Sequence, residues 1–119
     1  MQNNTIVKYL GRKVINILAI LGIFKVDGIT RQMYETLRKD VDWEHNHPKG
    51  FIFHSDAFDD SGNTLHVADV WESEEDLNDF FSSRLMPSMK NNKVPDPKAE
   101  IFQINDVSAF PGIDKFKVG

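Results

Sequence analysis

LHVADVWESEEDLNDFFSSRLMPSM, residues Leu65 to Met89, changes its hydrophobic period once, and the fold is read from that change. From Thr64 to Trp71 the chain alternates and is rich in β-branched and aromatic residues, the pattern of a strand. Ser73 then stands where a helix cap is needed. Its side-chain oxygen can accept from the N–H of Asp76, and Asp76 can reach back to the N–H of Ser73. Glu74, Glu75 and Asp76 place negative charge in the first turn, where the helix dipole favours it. Leu77, Phe80, Phe81, Leu85 and Met89 follow at spacings of three and four and form one apolar stripe. The other side of that helix is Asn78, Asp79, Ser82 and Ser83. A strand running directly into such a helix must fold the helix back on its own sheet.

Outward from this stretch the other elements fall into place. Residues 1–12 are polar and mixed and read as an extension or loose arm. Val14 to Val26 is almost continuously apolar, which points to a strand near 15–26 covered on both faces. Ile17, Leu18, Leu21 and Phe24 also lie on a helical stripe, but Gly22 and the β-branched content favour the strand. Lys8, Arg12 and Lys13 ahead of that run imitate a secretory signal, yet no small-residue cleavage site follows and the run is too short to span a bilayer. Thr30 can cap a helix near 30–41 whose buried face is Met33, Tyr34, Leu37 and Val41. Phe51 to Phe58 reads as a strand that turns at Asp59–Asn63 and pairs with Thr64–Trp71 as a hairpin. The helix near 74–90 should kink or fray at Pro87. A connector with Pro95 and Pro97 leads to a last strand near 99–107.

The order β-α-β-β-α-β predicts an α+β, ferredoxin-like domain: a four-stranded antiparallel sheet with two helices on one face. Its bounds are 13–107, with residues 1–12 as an N-terminal extension and 108–119 as a tail. The second sheet face would carry uncovered Phe and Ile side chains, so a homodimer through the sheet faces is expected.

Composition narrows the function. A net charge of −4 provides no basic stripe for nucleic acid. The chain contains no cysteine, which removes disulfides, thiolate metal sites and a Cys nucleophile and fits a cytoplasmic setting. A phosphate-binding Gly loop, a Ser nucleophile elbow and a dinucleotide fingerprint are all missing from the sequence. No membrane partner is expected.

Gly50-Phe51-Ile52-Phe53-His54, Val67 to Glu75, Phe80-Phe81 and Arg84-Leu85-Met86-Pro87 resemble the antibiotic-biosynthesis-monooxygenase-like (ABM) domains of the dimeric α/β-barrel superfamily, over roughly Ile17 to Val107. The resemblance implies a pocket in each subunit between sheet and helices, and two sheets facing each other across a dimer. It also implies monooxygenase-like chemistry without a cofactor, in which the substrate, as a carbanion, delivers an electron to O₂. The haem-degrading branch is set aside, because Phe80, Lys90 and Leu21 stand where its Trp, His and Asn would be.

Two polar residues sit among apolar ones on the hairpin. His54 lies beside Phe51, Ile52 and Phe53, and as a neutral imidazole it could act as a base near neutral pH. Asp69 interrupts Val67-Ala68-Asp69-Val70-Trp71, where a carboxylate needs a partner. These are the candidate catalytic pair, with Phe53, Trp71, Phe80 and Phe81 as candidate ligand-binding walls for a small apolar or aromatic molecule. The plainer readings are a hydrogen-bonded strand His and a core Trp. If Phe58 pairs with Thr64, then Phe53 opposes Asp69, His54 opposes Ala68, and Asp56 opposes His66. His54 and Asp69 then point to opposite faces unless a bulge intervenes. Glu44, His45 and His47 do not have the spacing of a metal site, and none is expected. Two non-enzymatic alternatives stay open at this point: a dimer that binds a small hydrophobic molecule, and an interaction module.

Overall fold

The computed structural model describes residues 6–10 and 13–118. The elements run β1 (Ile6–Leu10), β2 (Lys13–Ile17), β3 (Ile20–Asp27), α1 (Arg31–Val41), β4 (Phe51–Phe58), β5 (Thr64–Trp71), α2 (Glu74–Phe80), α3 (Met86–Asn91) and β6 (Lys98–Gln103). A π-helical turn, Phe81–Leu85, joins α2 to α3, and a short 3₁₀ turn, Pro111–Lys115, follows β6. The antiparallel sheet has the order β4-β5-β3-β6, the ferredoxin-like arrangement expected from the element order.

Local chemistry explains the helices. Thr30 accepts from Met33 N at 3.1 Å and starts α1, while Asp42, left-handed at φ 55°, ends it. Ser73 accepts from Asp76 N at 3.1 Å and starts α2. The carboxylate of Asp76 lies against the backbone of Gly50, where a Cβ would collide with Oδ2. Gly50 also has φ +79°, so the loop before β4 needs a glycine on both counts. The disturbance expected at Pro87 takes a definite form. Met86 N bonds to Phe81 O across five residues, opening a wide turn just before the proline. Pro87 has no N–H for the Ser83 carbonyl, and its ring would crowd that carbonyl in a regular helix. The wide turn relieves the clash, and the helix continues to Asn91.

The run from Val14 to Val26 departs from the single strand expected. Leu18 and Ala19 leave the strand, Lys13–Ile17 pairs with Ile6–Leu10 as a separate hairpin, and only Ile20–Asp27 belongs to the main sheet. At Ile20 its partners run out: β5 ends opposite it at Trp71 and β6 at Gln103. Just upstream, Ala19 O still accepts from Ile104 N at 2.9 Å, and the backbone of Lys13–Ile17 pairs with β1 instead. Ile6–Leu10, within the expected extension, is therefore a strand. Residues 1–5, 11, 12 and 119 lie outside the described residues. The last strand also stops at Gln103, short of 107.

The core lies between the sheet and the helices. Ile20, Val26, Leu65 and Trp71 from the strands meet Tyr34, Leu37, Leu77, Phe80 and Met89 from the helices. Trp71 is fully buried and stacks on Phe51 at 4.1 Å. Alternation along β3, β4 and β6 puts Ile23, Phe53 and Phe102 on the opposite face, where Ile23 is 36% and Phe102 49% exposed.

Candidate functional site

The β4–β5 hairpin builds the site through its register. Asp59 N bonds to Thr64 O, and Asp59 Oδ1 accepts from Ser61 N at 3.0 Å, which leaves a four-residue loop from 60 to 63. Phe58 therefore pairs with Leu65, one residue away from the expected Thr64. That shift turns the whole strand over relative to its partner. His54 now opposes Asp69 directly, on the helix-facing side, and no bulge is needed between them. A bulge occurs further along, where Phe51 and Phe53 face Trp71 and Val70. It returns Phe51 to the helix side and leaves Phe53 on the other. The expected Asp56–His66 pair does not form. His66 opposes Ala57 and approaches Asp59 at 3.4 Å.

His54 is held on both sides. Its Nδ1 donates to Asp69 Oδ1 at 2.6 Å and its Nε2 to Asp56 Oδ2 at 2.8 Å. Asp69 also accepts from the indole Nε1 of Trp71 at 3.3 Å, and Asp56 from the hydroxyl of Tyr34 at 2.6 Å. A ring with a carboxylate at each nitrogen carries two N–H groups and a positive charge. Burial opposes that charge, but the hydrogen bonds from Asp56 and Asp69 outweigh it and raise the His54 pKa to about 9. The expectation of a neutral imidazole base is thereby corrected: near neutral pH this His is a cation whose N–H groups are both engaged. For Asp56, burial pushes the pKa up, and the bonds from His54 and Tyr34 more than reverse it, leaving it below the usual carboxylate value. Burial and Asp56 push the Tyr34 hydroxyl up, so it stays protonated.

These groups border an apolar cavity of about 80 Å³ between the sheet and the helices. His54, Asp69 and Tyr34 supply its polar wall, and Phe24, Val67, Leu77, Phe80, Phe81 and Met89 are among its apolar lining. An engineered cavity of about 150 Å³ takes benzene, so a flat ring enters here only as lining side chains move aside. Phe81 and Leu85, at the two ends of the π turn, lie in that lining, a location where such turns are common. Gly22, opposite Asp69, lacks the side chain that would strike the Phe24 ring at 2.7 Å, so that ring can fold across it.

Of the residues singled out from sequence, the structure brings together His54, Asp69, Phe80 and Phe81. Phe53 and Trp71 are not in the lining. Trp71 instead orients Asp69 from within the core. Asp56, which the sequence reading set opposite His66, and Tyr34, read there only as part of a buried helix face, complete the polar cluster. Asp56 is two residues from His54 and so shares its strand face, a period-two signal available in the sequence. Tyr34 lies on the apolar stripe of α1, where a buried hydroxyl requires a partner. His45 pairs with Asp42 at 2.7 Å and Glu44 with Arg38 at 2.9 Å, and no group of three potential metal ligands occurs among the described residues. Nor is any helix among them long and apolar enough to cross a membrane.

Comparison with solved structures gives the same fold. A conserved protein from Methanosarcina mazei is 17% identical, with a TM-score of 0.57 over 75% of this chain and 95% of its own. The cofactor-independent oxygenase SnoaB from Streptomyces nogalater is 11% identical, with a TM-score of 0.57 over 76% and 96%. The ActVA-Orf6 monooxygenase of Streptomyces coelicolor, solved with Nanaomycin D, is 14% identical, with a TM-score of 0.55 over 77% and 92%. At such identities the likeness shows the fold alone. No family model matches the sequence, and no curated protein does.

Proposed function

We propose, from an antibiotic-biosynthesis-monooxygenase-like fold as the premise, that this protein is a cofactor-independent oxygenase acting on a small, flat, apolar or aromatic carbon acid. The observation that carries the reading is a His54 ring fixed between two carboxylates on the wall of an otherwise apolar cavity. Asp69 lines the cavity, and its four acceptor positions take one bond each from His54 and Trp71, so it has lone pairs left for a substrate proton. The His54 cation beside it stabilises the carbanion as charge develops, in surroundings that screen little. The electron then passes from the carbanion to O₂. The overall change is CH₂ plus O₂ to C=O plus water, balanced without another reductant. A cytoplasmic setting belongs to the same proposal.

An anthrone is a suitable probe, since its CH₂ between two aryl rings gives a delocalised carbanion. The protein should accelerate quinone formation and O₂ uptake, and Asp69→Asn should remove about 10²-fold of that rate. Quinone formation no faster than with heat-denatured protein would sink the reading.

The uncovered sheet face supports a homodimer as part of this proposal. Ile23, Phe53 and Phe102 lie on one side of the sheet away from the helices, a typical interface composition. Sedimentation equilibrium should give twice the chain mass at micromolar concentration, and Phe102→Glu should shift it toward the single-chain mass. A wild-type monomer under these conditions would defeat the dimer.

A further inference from the structure

Phe80 separates two spaces. On its inner side is the apolar cavity of about 80 Å³ that His54 and Asp69 border. On its outer side is a cleft of about 180 Å³, lined by Lys49, Asp76, Asp79, Ser83 and Arg84 among others. Among the described residues, Phe80 alone belongs to both linings. Asp76, Phe80 and Arg84 follow at spacings of four, so the ring stands where the buried stripe of α2 meets the cleft. Inside, it packs on Trp71 at 5.4 Å and on Phe51 at 6.0 Å. Arg84 holds its guanidinium 5.3 Å from the ring centre. The sizes of the two spaces then matter. A benzene ring fits a cavity of about 150 Å³, so the inner cavity is too small for one and the cleft is large enough. The Phe80 side chain is itself a benzyl group, and it has room to turn into the cleft. Other lining groups have no such place prepared. His54 and Tyr34 are tied to carboxylates, Leu77 and Met89 sit within the core, and Trp43 and Phe81 would leave core contacts for open water.

We propose that Phe80 sets the capacity of the cavity: a flat ligand of two fused rings binds only as the Phe80 ring turns into the cleft and yields its place. The vacated position adds about one benzene to the inner space, which converts a site too small for one ring into a site for two. Arg84 does not follow, because its Nη2 donates to the carbonyls of Val41 and Asn46 at 2.9 and 2.8 Å. Its guanidinium then faces the ligand in place of Phe80, and it favours an electron-rich ring. The cleft therefore takes part in binding as the receiving space for a side chain. This deepens the oxygenase reading, on whose cavity it rests, by naming the residue that decides ligand size. Binding can be measured without turnover.

The probe is 2-naphthol, a fluorescent two-ring molecule with no CH₂ to oxidise, and the readout is its dissociation constant. Ser83 is exposed and lines the cleft but not the cavity, so Ser83→Trp fills the receiving space from outside. In the wild-type background this change should weaken 2-naphthol about tenfold or more, because the open state becomes rarer. Phe80→Ala should tighten binding, and adding Ser83→Trp to it should then change nothing, since no ring is left to move. A 4-fluorophenylalanine label at position 80 gives a second readout that does not depend on the Phe80→Ala protein folding. Its ¹⁹F resonance should shift on addition of 2-naphthol, and Ser83→Trp should suppress the shift. An equal loss from Ser83→Trp in both backgrounds, no loss in either, an unmoved label with 2-naphthol bound, or no binding to wild type overturns the proposal. Anthrone left unoxidised while the Phe80–Ser83 coupling holds would remove the oxygenase reading alone. Anthrone oxidised without that coupling would remove the proposal alone.

Discussion

His54→Ala should lower folding stability by about 3 kcal/mol at neutral pH, toward the low end of the cost of breaking a buried ion pair. The size follows from what is stranded. His54 serves two carboxylates, and its side chain is only 22% exposed. Without it Asp69, with its side chain 10% exposed, retains only the long bond from Trp71. Asp56 retains Tyr34, but the nearby positive charge is gone. One lost partner for one carboxylate, all that the sequence implies, would cost roughly 1–3 kcal/mol. The second carboxylate raises the expectation. Adding Asp69→Asn to His54→Ala should recover part of the loss, because the stranded charge is then removed as well. Urea unfolding followed by circular dichroism measures both. A loss under about 1 kcal/mol would mean that water enters the site and solvates Asp69, contrary to the buried pairing.

The second large effect is on the pH dependence of stability. His54 has its folded pKa raised from 6.5 to about 9. A raised folded pKa stabilises the native state fully below the unfolded value, and the stabilisation is lost as pH rises through the folded one. The native protein should therefore lose roughly 3 kcal/mol between about pH 6.5 and pH 10 through this residue. Asp56 acts in the other direction. Its folded pKa is lowered, so its contribution is present above the ordinary carboxylate value and disappears as pH falls. The site is thus most stabilising in weakly acidic to neutral solution. The difference between wild type and His54→Ala isolates the His, because the exposed His45–Asp42 pair is common to both. A difference that stays constant from about pH 6 to pH 10 would show that the imidazole is not held as a cation.

Local signals in the sequence account for much of the fold. The caps at Thr30 and Ser73, the apolar stripes of both helices, the two hairpin strands and the ferredoxin-like order all lie within windows of a few residues, where side-chain period and capping chemistry decide conformation. His54 and Asp69 stand out for the same reason, as polar residues breaking an apolar strand pattern. The resemblance carried by Gly50–His54 and Val67–Glu75 leads to the fold that the solved structures share.

What the sequence determined by itself is therefore the kind and order of elements and the two polar residues most out of place. Only the tertiary structure decided how those residues meet. A loop of four residues in place of five shifts the hairpin by one position and moves His54 onto the face of Asp69. No local pattern reports that shift, since either register leaves each strand with the same alternation. Tyr34 joins the cluster from α1, 22 residues before Asp56, through packing alone. The split of Val14–Val26 into β2 and β3 was likewise set at a distance, where β5 and β6 end. Secondary structure here answers to neighbours in the chain. The charge state of His54 answers to neighbours in space, which become its neighbours only once the sheet has chosen its register.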